Sequence, residues 1–571
     1  RARHAAAAEN QADAEQVEAR IGNVVCGGVR SPDRSVCSYL AVLGDVVVVS
    51  NSPAQMRRIV ETQAGNRPAL SGAPEYTFFR SRYARGDEAE TALLVLSDAA
   101  IRRWCGPRWR IGASRRTRMA ALLSELQAAQ VKDVMNDASA DRPIVTDAPV
   151  PDPGVIRLVS GAVLSSRWGS LGFLTPIAEL DIPKATAAEA EAYERWRTGY
   201  QRNFTQFFDP VAIRFTIRPE HIAADVTVMP LIEGTQYREA IELTRGAEIG
   251  PGDADPHEGA LAHFAMSLNK DSEIVREAGS FGPFAGQQFG ASPFGWLGNY
   301  LTLYADRSPF WKEMREAEKP ERFMEHNFSR LPLGLQVGVS SSMKLAAFLA
   351  SMRGFIEQSA PGMTVWQTRK HGEQPYVRVG PSAQSRSELP EGNEDFAVYY
   401  APTATALIVT LDEELLKRAI DRRQARAEKE EEAAEAEVEN PWPGKNFCLK
   451  ADAEVVELIS RLSGDPYRRA MQGRAWDAIP ILNEWRRLFP GRDPVLVHRR
   501  LWGVVLVCPG GGRYEWNQEW QTMQSTVYGH PGDPRPGPAV PAQLRDVQRG
   551  AFGITFEKDG LRARAAVTRG K

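Results

Sequence analysis

Hydrophobic positions along the chain fall into short alternating runs and longer runs of helical spacing, and the two kinds follow each other in a recurring order. Residues 36–42 and 46–50 are strand-like, and Gly44-Asp45 between them turns easily, which predicts a hairpin. A helix is expected at once. Ser52 is placed to accept a backbone N–H, Pro53 suits the first helical position, and Met56, Ile59 and Val60 share an apolar face. Residues 91–96 read as a further strand, after which Ser97 or Asp98 caps a helix through Trp104. The order is two strands and a helix, then one strand and a helix.

The same order returns at 396–400 and 404–409, a hairpin broken by Pro402. Thr410 and Glu413 have the spacing of a capping box, opening a helix with Leu415, Leu416, Ala419 and Ile420 on one side. A strand at 446–450 and a helix from Asp452 complete that copy. A looser copy has strands at 211–217 and 222–229 joined around Arg218-Pro219, a helix from Thr235, a strand over 259–268 and a helix from Asp271. Three matches in one order predict an internal repeat. The fold class expected is α+β, built as tandem divergent units of antiparallel sheet with helices packed on one face.

Between the copies, residues 5–21 read as a helix, and Met119, Leu122, Leu123 and Leu126 mark an amphipathic one. Residues 142–154, with four prolines, read as a linker. Short strands over 155–173 lead to a long helix opened by a Thr186/Glu189 capping box and closed at Asp209-Pro210. Tyr193, Trp196, Tyr200, Phe204 and Phe207 line one side of it, read as core packing, with a cofactor or sugar platform as the alternative if they are exposed. A strand at 333–339, a helix over 341–359 and a hairpin at 364–380 precede the second clear copy. Its helix runs on through an acidic, alanine-rich arm that Pro441 stops. Pro480 splits a later helix, and Asp559-Gly560 turns a final hairpin. The domain division read from this is 1–141, the linker 142–154, 155–332, 333–499 and a β-rich tail, 500–571.

The succession strand, helix, hairpin, then hairpin and a helix opening VTLDEELLKRAI resembles a widespread bacterial domain of unknown function found mostly in envelope-associated proteins. The likeness covers roughly 21–104, without a leading strand and helix, and 333–462. It implies an architecture and an extracytoplasmic, envelope-associated place, and assigns no catalytic residue. The stretches LSDAAIRRWCGPRWRI, DVTVMPLIEGTQYRE and CPGGGRYEWN are also similar to long uncharacterised bacterial proteins. Cys508-Pro509, Gly511-Gly512 and Tyr514 are similar to a C-terminal motif of pilin-like and surface proteins in which a second cysteine precedes His-Gly. Here Ser525 and Gly529-His530 occupy that region, with no second cysteine.

With 571 residues, 43% hydrophobic and 25% charged, the chain has the composition of a globular protein of several packed units. Its 70 basic and 72 acidic side chains leave a formal charge of −2, so nucleic acid is not the expected partner. No apolar run reaches the roughly 18 residues a spanning helix needs. The chain opens at Arg1 inside the stretch read as a helix, so a truncated or processed product is expected. Of five cysteines only Cys26 and Cys37 lie close in sequence; a disulfide and two free thiols both remain open.

Asp253, Asp255, His257 and His263 place oxygen and imidazole ligands together, but the histidines are six apart where one helical face needs i,i+4 spacing. No metal site is assigned, and His263, if in a strand, is expected to face a carbonyl. No Walker, dinucleotide or G-x-S-x-G pattern occurs in context, so no cofactor is expected. The one candidate binding patch is basic and aromatic: Arg102, Arg103, Trp104, Arg108, Trp109, Arg110, Arg115, Arg116 and Arg118. Guanidinium groups pair with phosphate or carboxylate and tryptophan stacks on rings, which suits an anionic polymer; the alternative is that these cations meet acidic side chains of the protein itself. The function expected is a non-enzymatic repeat protein acting as a scaffold or binding module for an unknown protein or anionic polymer. The alternatives are a hydrolase with an Asp/His site between units, or a binder of anionic polymers.

Overall fold

A computed structural model of the chain describes residues 14–135, 152–159, 162–204, 210–229, 238–278, 293–386, 396–432, 440–455, 458, 466–538, 546–557 and 560–570. The fold is α+β, with every strand pairing antiparallel. The chain forms two compact units, each drawn from separated stretches: the first from Arg1–Ser81, Ser97–Thr205 and Arg468–Pro538, the second from Arg82–Leu96, Gln206–Tyr467 and Ala539–Lys571. Most of the expected 142–154 linker lies outside the described residues.

In the first unit, β1 (Glu15–Ile21), β2 (Val24–Arg30), β3 (Cys37–Leu43) and β4 (Val46–Ser50) pair in chain order. The helix expected over 5–21 is corrected for Glu15–Ile21. Those residues alternate outward and inward and pair with β2, an override of helical propensity by sheet burial. Gly44, at φ +59°, makes the predicted turn. Helix α1 (Pro53–Gln63) starts at Ser52, whose side chain accepts from Gln55 N–H, and buries Met56 against Ile21, Cys26, Tyr39 and Leu43. Cys37 stands opposite Arg30, not Cys26, and both thiols are free.

Helix α2 (Asp98–Cys105) is capped by Ser97, and α3 (Pro107–Met135) buries Met119, Leu122, Leu123 and Leu126 against Val163, Trp168, Ile177 and Leu180. In α4 (Ala187–Phe204) the capping box forms as read: Thr186 N–H donates to Glu189 at 2.9 Å and Glu189 N–H donates to the Thr186 hydroxyl at 3.2 Å. The later helix divides ahead of Pro480 into Pro466–Trp476 and Ile479–Leu488.

Two small hairpin motifs in this unit share one hydrogen-bond pattern that sequence reading missed. The first is β6 (Ile156–Val159), β7 (Ala162–Ser165) and β8 (Gly169–Ser170); the second is β19 (Tyr514–Asn517), β20 (Thr522–Ser525), β21 (Gly529–His530) and β22 (Asp533–Pro534). Ser165 Oγ accepts from Arg167 and Trp168 N–H, as Ser525 Oγ accepts from Val527 and Tyr528 N–H. Gly169 and Gly529 follow in the left-handed region, where a Cβ would meet a carbonyl oxygen at 2.2 or 2.1 Å. The signal is Ser-x-x-aromatic-Gly.

The second unit holds one 13-stranded sheet. Its strands are β5 (Ala92–Leu96), β9 (Val211–Arg218), β10 (His221–Val228), β11 (Ala260–Ser267), β12 (Leu297–Asp306), β13 (Leu333–Val339), β14 (Thr364–His371), β15 (Gln374–Pro381), β16 (Val398–Pro402), β17 (Ala406–Thr410), β18 (Phe447–Asp452), β23 (Val547–Glu557) and β24 (Gly560–Arg569). They lie in the order β14-β15-β16-β17-β13-β12-β11-β18-β23-β24-β10-β9-β5. Helix α5 (Glu413–Glu432) packs Leu416, Ala419 and Ile420 on Tyr376, Ala401 and Ile408. Its expected Thr410/Glu413 capping box is corrected. Asp412 Oδ1 accepts from Glu414 and Leu415 N–H, while the Glu413 carboxylate turns to Arg369 and Tyr376, stronger charge-assisted partners. The acidic arm beyond residue 432 lies outside the described residues.

Candidate functional site

Over its central strands the large sheet in the second unit has inverted polarity, whereas towards β15, β16 and β17 the face under α5 is apolar. Side chains alternate between faces of a strand, and the face that carries α5 receives His263 from β11, Thr302, Tyr304 and Asp306 from β12, and Gln336 from β13, all buried. The opposite face is apolar. Leu335, Leu303, Phe264, Leu449, Phe552 and Ala565 stand opposite one another across β13, β12, β11, β18, β23 and β24. A second row one step along places Leu301, Met266, Phe447, Ile554 and Ala563 in register. Helix Ser342–Ser359 covers the end of this face near β13 and β17, through Leu345 against Val337 and Leu407. Towards the middle, Leu303 and Leu449 are each 45% exposed and Phe552 41%.

On the covered face, the residues singled out in DADPHEGALAH form a closed network. Ala254 and Asp255 take φ +62° and +52°, unusual for non-glycine residues, and bring the Asp255 carboxylate inward. Arg418, Arg422 and Arg426 recur every fourth residue of α5 and so share a face. Arg422 Nε and Nη2 lie 3.0 and 2.7 Å from Asp255 Oδ2, Arg426 pairs with Oδ1, and Arg418 reaches Asp306 at 3.4 Å. His257 Nδ1 lies 2.6 Å from the Asp255 carbonyl and Nε2 lies 2.8 Å from Asp306 Oδ1. Burial pushes the Asp306 carboxyl upward, but the bond from His257 and the charges of Arg422 and Arg418 outweigh it and hold it below its ordinary value.

His263 does lie in a strand and does face a carbonyl, with Nε2 2.9 Å from Ala254 O and 2.8 Å from Thr302 Oγ1. Burial, reinforced by the neighbouring His257, depresses it to about 3, so it is neutral. Asp253 is spent elsewhere, accepting from Gly250 N–H at 2.8 Å. Among the described residues no group of three or more His, Cys, Asp or Glu side chains is arranged to hold a metal ion. Both ring nitrogens of His257 are directed at protein oxygens, so neither is turned toward a substrate.

In the first unit, the basic and aromatic residues are dispersed by use. Arg102 pairs with Asp98 at 2.6 Å, and Arg110 lies over the Trp196 ring at 3.9 Å. Arg115 grips both oxygens of Glu189 at 2.8 and 2.7 Å and Arg118 adds a third contact at 2.9 Å, which together hold the Glu189 carboxyl down to about 2. Trp109 packs on the core beside Met119 and Trp168, Trp104 is 47% exposed, and Arg116 is half-buried with its Nε unpaired. Trp196 stacks on Tyr200 and meets Tyr193 at a tilt, all three half-buried, while the Phe204 side chain and Phe207 lie outside the described residues.

Arg103 and Arg108 remain. With Arg58 of α1, which sequence reading did not single out, they line an open cavity of about 280 Å³ together with Gly106, Pro107, Trp109, Ile177 and Ala178. No protein family, no curated protein and no solved structure matches the chain. The resemblance read around VTLDEELLKRAI therefore stays at the level of element order.

Proposed function

We propose that the protein is a non-enzymatic binding scaffold, and that its partner is a protein whose apolar surface lies along the open face of the large sheet. The inverted polarity of that sheet's central strands carries the reading. An antiparallel sheet with one solvated face normally turns its apolar side to the core. Here the helix-covered side holds a saturated polar network, and the apolar rows run through the exposed Leu303, Leu449 and Phe552. Burying such a side chain fully stabilises by about 1.5–3 kcal/mol, so a cluster of half-exposed ones is a substantial driving force for association.

The repeat reading belongs to the same proposal. Outward from the β11–β18 pair the strands run β12, β13, β17, β16 on one side and β23, β24, β10, β9 on the other. Each series is two successive strands followed by a hairpin from the other half, which supports duplication of the hairpin, helix and strand unit. No described helix is long and apolar enough to cross a membrane. An envelope location is proposed on the element-order resemblance alone.

The test is the chain produced in its own cells, crosslinked and fractionated, beside Leu303→Lys, Leu449→Lys and Phe552→Lys variants. The expected result is one partner protein recovered with the parent chain and lost from variants that remain folded. Undiminished recovery with all three variants overturns the reading.

A further inference from the structure

We infer that the first unit carries a discrete oxyanion site, for a phosphate-type group, in the cavity formed by Arg58, Arg103 and Arg108. Three guanidinium groups, one each from α1, α2 and the first turn of α3, face one space of about 280 Å³. No carboxylate is among the side chains that line it. Among the described residues, neither Arg58 nor Arg103 has a side-chain hydrogen bond or ion pair, and Arg108 makes one long bond, from Nη2 to the Leu180 carbonyl at 3.3 Å. This contrasts with Arg102, Arg115 and Arg118, whose charges are met by Asp98 and Glu189.

The local charge is out of balance. Burial and the like charges of Arg103, Arg67 and Arg108 lower the proton affinity of Arg58, and Glu61, itself paired to Arg67, offsets this only in part. An assembly of like charges is costly unless an anion joins it, and planar forks are the groups that grip phosphate oxygens in pairs. The cavity also sits at the start of the 29-residue α3, at the positive end of the helix dipole, where Pro107 carries no N–H and Arg110 N–H donates to the Gly106 carbonyl. Pro107, Trp109, Ile177 and Ala178 supply apolar walls beside the cations. That combination suits a small phosphomonoester as well as the free ion.

This inference is independent of the partner on the large sheet and is tested by calorimetric titration of the whole chain with inorganic phosphate and with phenyl phosphate. Saturable binding of one anion per chain is expected, weakened about tenfold or more by Arg58→Gln and by Arg103→Gln, a loss of one charged hydrogen-bonding group each. Arg102→Gln, which removes a paired cation outside the cavity, leaves the affinity unchanged. Arg58→Lys keeps the charge without the fork, is the safer variant for folding, and is expected to fall between. Tighter phenyl phosphate identifies a monoester ligand, and equal affinities identify the free ion. Absence of saturation by either probe, or saturation indifferent to Arg58→Lys and Arg103→Gln, overturns the site.

Discussion

Arg422 of α5 holds the Asp255 carboxylate through two nitrogens, Nε at 3.0 Å and Nη2 at 2.7 Å from Oδ2, at a residue whose side chain is almost wholly buried. The pair fastens the helix to a loop bent through two left-handed residues. Removing the cation strands a buried carboxylate, whereas removing the carboxylate leaves an arginine with some access to water. Arg422→Ala is therefore expected to destabilise the second unit by about 3 kcal/mol, the lower end of the range for a broken buried pair because Arg426 remains. Asp255→Asn, which tolerates the left-handed backbone, costs less. Urea unfolding of both variants checks the order.

His263 sets a pH dependence. Its ordinary value is 6.5 and burial holds it near 3, so between those values the unfolded chain binds a proton that the folded one refuses. Stability from this group is full above about pH 6.5 and is lost as pH falls toward about 3. The urea midpoint of the second unit is expected to drop between about pH 7 and 4, and His263→Gln should flatten that drop.

Cys508 Sγ lies 3.1 Å from Ser525 Oγ, so the serine faces the cysteine at the small hairpin motif. Ser525→Cys is expected to close a disulfide under mild oxidation. A loop of about this length brings roughly 3 kcal/mol. Thiol titration and mass before and after reduction report the bond, and a thermal scan reports the gain.

What the sequence made legible was local. The Gly44-Asp45 turn, the Thr186/Glu189 capping box and the break ahead of Pro480 each depend on residues a few positions apart, and each formed. Glu15–Ile21 resembles a helix in sequence because the alanine-rich stretch before it outweighs its weak alternation. Arg58 carries no local signal because it lies on α1, far in sequence from the arginine run it joins. Alternation in β11 and β12 showed two kinds of face, but no local pattern tells which face a helix from residue 413 will cover. The polar face won because Arg418, Arg422 and Arg426 neutralise it.

The open apolar face is tested most directly by placing a photo-crosslinking phenylalanine at Leu449 in the chain made by its own cells, with Met343, 82% exposed on helix Ser342–Ser359, as the control position. Light-dependent joining to one discrete partner protein from Leu449, absent from Met343, is the predicted result. No adduct from Leu449, or equal adducts from both positions, would contradict a dedicated binding surface there.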